Sequence, residues 1–337
     1  MATMGVGASG RGDWRVGVDL GGTQLRAAAV SADGQILSHD RRPTPGTSAA
    51  DVVQAIVEAL TIVEAGAATT SLASAASNPL VIAAPGPLDL ATGRILDTPN
   101  LPHLRNFPLA AAVAEALHRE VHLENDATLA ALGEATFGAG RGFDVVLFLT
   151  ISTGIGGGLV VDGRPYRGTS GQAAELGHLI IDGRRDAPRC GAGHTGCLEA
   201  LASGSAIRRA AAAAGTAGGG DGPDSDVEDR GGRRPSARDV AAAARAGDPV
   251  ALAILDDAAR WLGLGIGSAI NAFDPAVVVL GGGVMGAWDL LGGGVMLGVE
   301  EVAMSEGWRR GGIVAGALGD DAGVVGAAMW RTSSGPR

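Results

Sequence analysis

The chain has 337 residues, of which 46% are hydrophobic and 18% charged, and this apolar share can bury a large core, which we expect to form two lobes. A net charge of -10 without a basic stripe argues against nucleic-acid binding as a main role. All 26 basic residues are arginine, which excludes Schiff-base chemistry on lysine, pyridoxal phosphate attachment and a Walker A loop.

The first predicted elements form an antiparallel meander. After a polar, Gly-rich start at residues 1–13, alternating apolar residues predict three short strands, at 15–20, 25–30 and 35–38. Such a meander is typical of the start of an α/β protein.

The turn between the first two strands is suited to phosphate. Because glycine accepts positive φ, Gly21 and Gly22 can present N–H groups, and Thr23 its hydroxyl, to phosphate oxygens. Asp19, at the end of the first strand, is suited to hold Mg²⁺ through water. For this motif alone, a simple hairpin turn is the alternative.

A helix over 51–65 and a buried strand over 80–84 come next. Residues 85–87, Pro-Gly-Pro, then form a rigid turn that can place backbone amides beside a ligand. Asn100 offers a donor and an acceptor to a sugar hydroxyl, unless it is an ordinary loop residue. A helix over 109–117 follows.

A short strand over 121–123 delivers Asn125 and Asp126 to the start of a helix over 127–134. The N-terminus of a helix stabilises a carboxylate, so Asp126 either caps this helix or acts in catalysis. In the second case it is a general base that takes the proton from a sugar hydroxyl as the hydroxyl attacks phosphorus.

A strongly apolar strand over 144–150 leads to a second glycine turn at 152–158. The letters resemble a dinucleotide fingerprint, but a strand at 159–161 follows, whereas a Rossmann loop opens a helix. We therefore predict a second phosphate-cradling hairpin. One such hairpin in each half suggests two lobes that grip one nucleotide from both sides.

Functional side chains are concentrated in the stretch 171–204. It holds two carboxylates, two histidines and both cysteines of the chain, namely Glu175, His178, Cys190, His194, Cys197 and Glu199. Two cysteines do not make a disulfide framework, and their position beside histidines is typical of cytosolic metal chemistry.

The remaining part of the chain begins with residues 214–238, which are dense in Gly, Asp, Arg, Pro and Ser and are predicted to be a mobile surface insertion. Three elements are predicted after it, with helices over 236–245 and 249–272 and a strand over 277–280. A closing helix over 322–330 is expected to return to the N-terminal lobe.

The glycine turn at 281–286 matches G-x-G-x-x-G by letter, and Glu300 lies about 20 residues on, as a dinucleotide site asks. A NAD-dependent oxidoreductase is therefore an alternative function. It leaves the two glycine hairpins at 19–23 and 152–158 unexplained.

Five motifs occur in the order found in the ROK family of sugar kinases, which the chain resembles over nearly its whole length. They are D-x-G-G-T at 19–23, E-N-D-A at 124–127, T-G-I-G-G-G at 153–158, E-x-G-H at 175–178 and G-C-L-E at 196–199. The resemblance implies an α/β, two-lobed actin-like ATPase (ribonuclease H-like) fold with a central cleft. It also implies that the turn at 281–286 lies beside the adenosine.

The resemblance implies a role for each motif. Asp126 is the expected catalytic base, and Asp19 the residue oriented toward Mg²⁺. The residues expected to bind the sugar are Asn100, Asn125, Asp126, Glu175, His178 and Glu199. Those expected to contact ATP are Gly21, Gly22, Thr23, Thr153, Gly154 and Gly282.

The zinc site of the family has one departure here. Its pattern is C-x-C-G-x-x-G-C-x-E with the histidine of E-x-G-H, but Ala192 stands at the second cysteine. His178, Cys190 and Cys197 remain, and we expect His194 to supply the fourth ligand of a structural Zn²⁺ because imidazole binds zinc well.

The expected domains are a small lobe over 1–123, completed by a C-terminal segment at 322–337, and a large lobe over 124–321. With ATP and a hexose as its partners, we expect a homodimer or homotetramer. The apolar runs are shorter than the roughly 20 residues of a membrane span, and no secretory signal is visible, so we expect a cytoplasmic protein that contacts neither membrane nor nucleic acid.

Glucose is the expected substrate. Kinases for fructose, mannose, allose and N-acetylmannosamine share these motifs, and polyphosphate is an alternative donor, although no basic groove is evident. Thr128 is a further departure, since many relatives have Asn there. The alternative of another class is a sugar-responsive ROK regulator, for which the 18 residues before Asp19 are too few to form a helix-turn-helix domain.

Overall fold

A computed structural model describes residues 13–70, 79–98, 101–215 and 235–330. The chain divides into two compact units, which are Met1–Gly138 with Asp320–Arg337 and Ala139–Gly319. Each unit has its own mixed sheet and its own buried core.

The sheet of the first unit has the strand order β3-β2-β1-β4-β7. Its strands are β1 Trp14–Leu20, β2 Gln24–Ser31, β3 Ile36–Pro43, β4 Leu80–Ala84 and β7 Val121–Asn125. The first three form the predicted antiparallel meander, and β1, β4 and β7 run parallel to one another. A separate two-stranded ribbon joins β5 Leu88–Asp89 to β6 Arg94–Ile95.

The described part of the first unit has four α-helices. They are α1 Ala49–Thr70, α2 Leu109–Leu117, α3 Asp126–Phe137 and α9 Ala322–Met329. Among the described helices, only 49–69 is long and apolar enough to cross a membrane by length and composition. It belongs to the core of the first unit, in which its residues Val52, Ile56, Leu60 and Val63 are at most 1% exposed. Burial of this stripe against the sheet accounts for its apolar composition.

Helix α9 packs backbone to backbone on its neighbours. A Cβ on Gly326 would overlap the carbonyl of Leu129 in α3, and a Cβ on Gly17 would overlap the carbonyl of Val324. The division between units therefore falls after Gly138 rather than after the predicted residue 123, because α3 packs on α9 and belongs to the first unit.

The sheet of the second unit has the order β10-β9-β8-β11-β12. Its strands are β8 Val145–Ile151, β9 Ile155–Val161, β10 Arg164–Pro165, β11 Val277–Gly281 and β12 Ile313–Ala315. Three antiparallel strands are again followed by parallel ones. The two sheets thus share one strand order.

The helices of the second unit are α4 Leu198–Ala202, α5 Gly204–Ala213, α6 Ala237–Arg245, α7 Pro249–Phe273 and α8 Trp288–Val302. A capping box of Ser236 and Asp239 begins α6, and Asp248 caps α7 just before Pro249. These caps confirm the two helices predicted there. Most of the predicted insertion at 214–238 lies outside the described residues.

The predicted second glycine turn is shorter than expected. Residues 155–158 pair within β9, so only 152–154 form the turn. The glycines in the strand allow close packing, because a Cβ on Gly157 would overlap the carbonyl of Ala174. Gly157 therefore has a packing role, and the predicted phosphate cradle would be limited to residues 152–154.

Candidate active site

Polar side chains of the first unit collect where its parallel strands end. Asp19 of β1, Ala83 of β4 and Glu124 of β7 lie in one row, and Asn125 and Asp126 come next. The turn 85–87 follows β4 at the same edge, where a Cβ on Gly86 would lie 3.8 Å from Nδ2 of Asn125. The carboxyl ends of parallel strands are where α/β proteins bind ligands.

The carboxylate of Asp19 is paired with a guanidinium across the hairpin. Nη1 of Arg26 donates to Oδ2 of Asp19 at 3.1 Å, and the side chains are only 20% and 13% exposed. Burial raises the pKa of Asp19; Arg26 opposes this shift, and the nearby Asp320 and Asp321 add to it. Arg26 therefore offsets part of the cost of burying the carboxylate of Asp19.

Hydrogen bonds to its own backbone and to Thr44 hold the first glycine turn in shape. The N–H of Gly21 donates to the carbonyl of Gln24 at 2.9 Å, and Thr44 donates to the carbonyls of Thr23 and Gly21 at 3.0 and 2.7 Å. The N–H of Gly21 is thus already engaged. Gly22 and Thr23 are exposed and remain the candidates for a phosphate contact.

Helix α3 is capped by Asn125 and not by Asp126. Oδ1 of Asn125 accepts the N–H of Thr128 at 3.0 Å, while Oδ1 of Asp126 accepts the adjacent N–H of Ala127 at 2.8 Å. The capping alternative for Asp126 was therefore wrong. Its half-buried carboxylate lies at the positive end of a twelve-residue helix, which favours the ionised form.

Two buried polar residues of the first unit were not assigned a role by sequence reasoning. Glu124 is fully buried and accepts the N–H of Asn125 at 2.9 Å, which fixes the strand end. Thr98 is 1% exposed, and its hydroxyl lacks a hydrogen-bond partner among the described residues. The predicted sugar ligand Asn100 lies outside the described residues.

The glycine turn of the second unit is joined to a helix. Ser152 donates its N–H to the carbonyl of Gly154 at 2.8 Å, which closes the turn. The first N–H groups of α5, from Gly204 and Ser205, donate to the carbonyls of Ser152 and Thr153 at 2.8 and 3.1 Å. Turn and helix therefore form one rigid corner.

A cavity of about 750 Å³ opens beside this corner, within the second unit. Thr153, Ser205, Arg208 and Arg238 line it together with the glycine turn that follows β11. Its volume lies in the range of small-molecule sites. The predicted Gly282 adopts φ 88°, and a Cβ there would overlap the carbonyl of Ile151. Sequence reasoning found this turn but missed both arginines, which lie in helices without a motif.

The E-x-G-H and G-C-L-E motifs both contact the start of β9. Oε2 of Glu199 accepts the N–H of Ile155 at 3.0 Å. The segment 175–178 packs so closely that a Cβ on Gly177 would overlap the carbonyl of Ile155. The surrounding protein partly desolvates Glu175, which raises the pKa of its carboxyl although the side chain keeps some contact with solvent. His178 opposes this shift, and Glu199 adds to it.

Three metal-ligand atoms meet in the loop that follows. Nδ1 of His178 and Nδ1 of His194 lie 3.3 Å apart, and Sγ of Cys190 lies 3.9 and 3.7 Å from them. Ligands at tetrahedral zinc would be separated by about 3.3 Å for two nitrogens and about 3.6 Å for nitrogen and sulfur, given Zn–N of about 2.0–2.1 Å and Zn–S of about 2.3 Å. The donor set therefore fits zinc.

Cys197 is the one expected ligand outside this three-donor group. It is fully buried next to Cys190, and burial raises the pKa of its thiol to about 11. His194 supplies the third donor in place of the cysteine that Ala192 replaces. Residues Cys190–Gly193 form a tight turn, which is closed by the N–H of Gly193 donating to the carbonyl of Cys190. This turn places the histidine opposite His178.

The chain matches the model of the ROK family over residues 15–333. It belongs to the ROK family. A glucokinase of Thermotoga maritima is 37% identical over 316 residues, which are 93% of this chain and 95% of that protein. The crystal structure of a ROK hexokinase from Thermus thermophilus superposes with a TM-score of 0.77 at 38% identity, covering 94% of this chain and 97% of that one.

Another ROK structure is a glucokinase from Streptomyces griseus in complex with glucose and AMPPNP. It superposes with a TM-score of 0.72 at 34% identity, covering 94% of this chain and 98% of that one. The actin-like α/β fold predicted from the ROK motifs is thereby confirmed. The motif residues divide between the two units, with Asp19, Asn125 and Asp126 on the first and the 153–199 group on the second.

Proposed function

We propose that this ROK protein transfers the γ-phosphate of ATP to the 6-hydroxyl of a hexose, and that the hexose is glucose. The match to glucokinase relatives over almost the whole chain carries this proposal. The product is glucose 6-phosphate, which enters glycolysis, and the cytoplasm is the proposed compartment because both cysteines are free thiols.

Asp126 is the proposed general base. A base for a sugar hydroxyl must be ionised before the proton transfer. Asp126 lies in the first turn of α3, where the helix N-terminus stabilises a carboxylate, and its Oδ1 accepts the N–H of Ala127. The carboxylate would accept the proton of the 6-hydroxyl as that hydroxyl attacks phosphorus.

The remaining sugar contacts are assigned by hydrogen-bonding chemistry. Asn100, Asn125, Glu175, His178 and Glu199 carry donors and acceptors of the kind that bind hydroxyls, and carboxylates accept the strongest of these bonds. Orienting the sugar in this way makes the phosphoryl transfer effectively intramolecular. Positioning, together with electrostatic stabilisation, supplies most of the rate enhancement of a kinase.

ATP is the proposed phosphate donor. Gly22 and Thr23 of the first turn and Thr153 and Gly154 of the second supply candidate phosphate contacts, and the cavity beside α5 has room for an adenosine. Mg²⁺, when bound, would neutralise charge on the β- and γ-phosphates. Asp19 is the carboxylate that we propose to orient it through water, and Arg26 donates to one of its two oxygens.

We also propose a structural zinc ion held by His178, Cys190 and His194, with Cys197 as the fourth ligand. The three mutual distances support this assignment, and Cys197 is the candidate for the fourth ligand because it packs against Cys190. Zinc in such a site cross-links a loop and adds folding energy. The loop it would stabilise carries Glu175 and Glu199 on either side.

Other hexoses are the first alternative, because the residues that would distinguish them are few. Thr128 is 6% exposed at the first turn of α3, where a change from amide to hydroxyl alters the hydrogen bonds available to the sugar edge. A coupled assay with ATP over glucose, fructose, mannose, allose and N-acetylmannosamine tests the assignment. The highest kcat/KM is expected for glucose, and a tenfold preference for another sugar would replace it.

The same assay with polyphosphate in place of ATP separates the two donors. A sugar-responsive regulator without catalysis would phosphorylate none of these sugars and would retard promoter DNA in a gel-shift experiment. The expected homodimer or homotetramer stays a prediction, which sedimentation velocity would test.

A further inference from the structure

We infer that Glu199, proposed above as a sugar ligand, is also the positioning residue that holds the glycine turn of the second unit in its phosphate-binding shape. This inference rests on the proposed function and adds a second role to a residue of the same site. It concerns the nucleotide, whereas the assigned role of Glu199 concerns the hexose.

The contact that carries the inference is a charge-assisted hydrogen bond. Oε2 of Glu199 accepts the N–H of Ile155 at 3.0 Å, and this N–H immediately follows the turn 152–154. Hydrogen bonds to an ionised acceptor are about twice as strong as neutral ones. The bond joins residues 44 positions apart in the chain, so it ties the turn to α4 and not to its own strand.

Gly154 gives a second, independent observation. The three atoms that lie closest to a Cβ built at Gly154 all belong to Glu199, and Oε2 would overlap it. The φ of Gly154 lies outside the left-handed range, so its own backbone conformation permits a side chain. A side chain at this position would therefore displace the carboxylate of Glu199.

The backbone that carries Glu199 is fixed by its neighbours. Glu199 lies in the first turn of α4, where a negative charge is favourable. Leu198 donates its N–H to the carbonyl of Leu179 at 2.9 Å, and Cys197 is fully buried. The helix start is therefore fixed before the carboxylate meets the turn, as a positioning role requires.

The experiment measures binding of AMPPNP, with magnesium and without sugar, by calorimetry. In Glu199→Ala the Kd is expected to rise about tenfold, as the loss of one charge-assisted hydrogen bond predicts. In Glu199→Gln the amide oxygen can still accept the N–H of Ile155, so the Kd should stay within about threefold of wild type while hexose affinity falls. Glu300→Ala, an exposed glutamate of α8, is the matched control.

A double-variant cycle makes the test independent of simple misfolding. Gly154→Ala alone should weaken AMPPNP binding because the new methyl displaces the carboxylate. In the Glu199→Ala background the space is free, so the same change should have an effect of less than twofold. Hydrogen exchange of a peptide over 150–158 should become faster in Glu199→Ala and stay slow in Glu199→Gln.

Wild-type affinity for AMPPNP in Glu199→Ala, or independent effects of the two substitutions, would overturn the inference and leave the proposed function standing. If the wild-type protein binds no AMPPNP and phosphorylates no hexose, the proposed function fails, and the inference fails with it.

Discussion

Removal of Arg26 should destabilise the first unit strongly at neutral pH and weakly in acid. Arg26→Met keeps most of the aliphatic length of the side chain but leaves the carboxylate of Asp19 without its guanidinium. Breaking a buried pair by removing one partner costs about 3–5 kcal/mol. Since Asp19 and Arg26 retain 13% and 20% exposure, we expect the lower end, about 3 kcal/mol.

The pH dependence follows from the direction of the pKa of Asp19. Burial already raises this pKa in the folded protein, so the folded state binds the proton more tightly than the unfolded chain. Stability therefore falls as the pH rises from the ordinary Asp pKa, about 3.9, through the raised folded value. Without Arg26 the pKa of Asp19 in the folded protein rises further, so the loss of folding stability at pH 7 is larger. This loss of stability disappears as Asp19 becomes protonated in acid.

Thermal unfolding of the ligand-free protein between pH 7.5 and pH 4.5 measures both effects. A loss of about 3 kcal/mol lowers the Tm of a unit of this size by about 6–12 °C. The control is Arg41→Met, whose partner Asp320 is exposed, so its change should stay below about 1 kcal/mol at every pH. Equal Tm shifts for the two variants, or a gap that does not narrow in acid, would refute the reasoning.

Three further predictions concern chemistry, metal and packing. Asp126→Asn should lower kcat by at least about a hundredfold with a small change in the KM for sugar; near-normal turnover would mean that another group is the base. His194→Ala should reduce the zinc content of the purified protein and lower its Tm, whereas His39→Ala should change neither; a wild-type protein without zinc would contradict the metal assignment. Gly326→Val should lower the Tm of the first unit or prevent folding, because its Cβ overlaps the Leu129 carbonyl; a Tm equal to that of wild type would exclude this packing.

The sequence was most informative where a pattern is local. The first two strands of the meander, the buried strand β4 and the helices α6 and α7 each follow from a few neighbouring residues, and these were predicted close to their observed bounds. The third strand was predicted at 35–38 and extends to Pro43. The position of the Gly156–Gly158 run in a strand was missed, and the packing that Gly157 allows is against Ala174 and Leu176, which are distant in sequence.

The same limit applies to the candidate site. Motif letters identified Asp126, Glu175 and Glu199 without showing their partners. The capping role of Asn125 was not predicted, because adjacent residues compete for one helix N-terminus and only the backbone geometry decides between them. Arg208 and Arg238 belong to no motif, so only the cavity that they line could reveal them.

The two sheets have the same strand order, and this allows a comparison position by position between the halves of the chain. Asp19 is the sixth of seven residues in β1 and faces Arg26 across the hairpin, whereas Thr150, the sixth of seven in β8, faces Gly156. An acid–base pair in one repeat thus corresponds to an uncharged pair in the other. If the halves descend from one duplicated ancestor, they have since become chemically unequal at this position. One half has an ionic cross-strand pair, and the other has an uncharged pair at the equivalent place in its sheet.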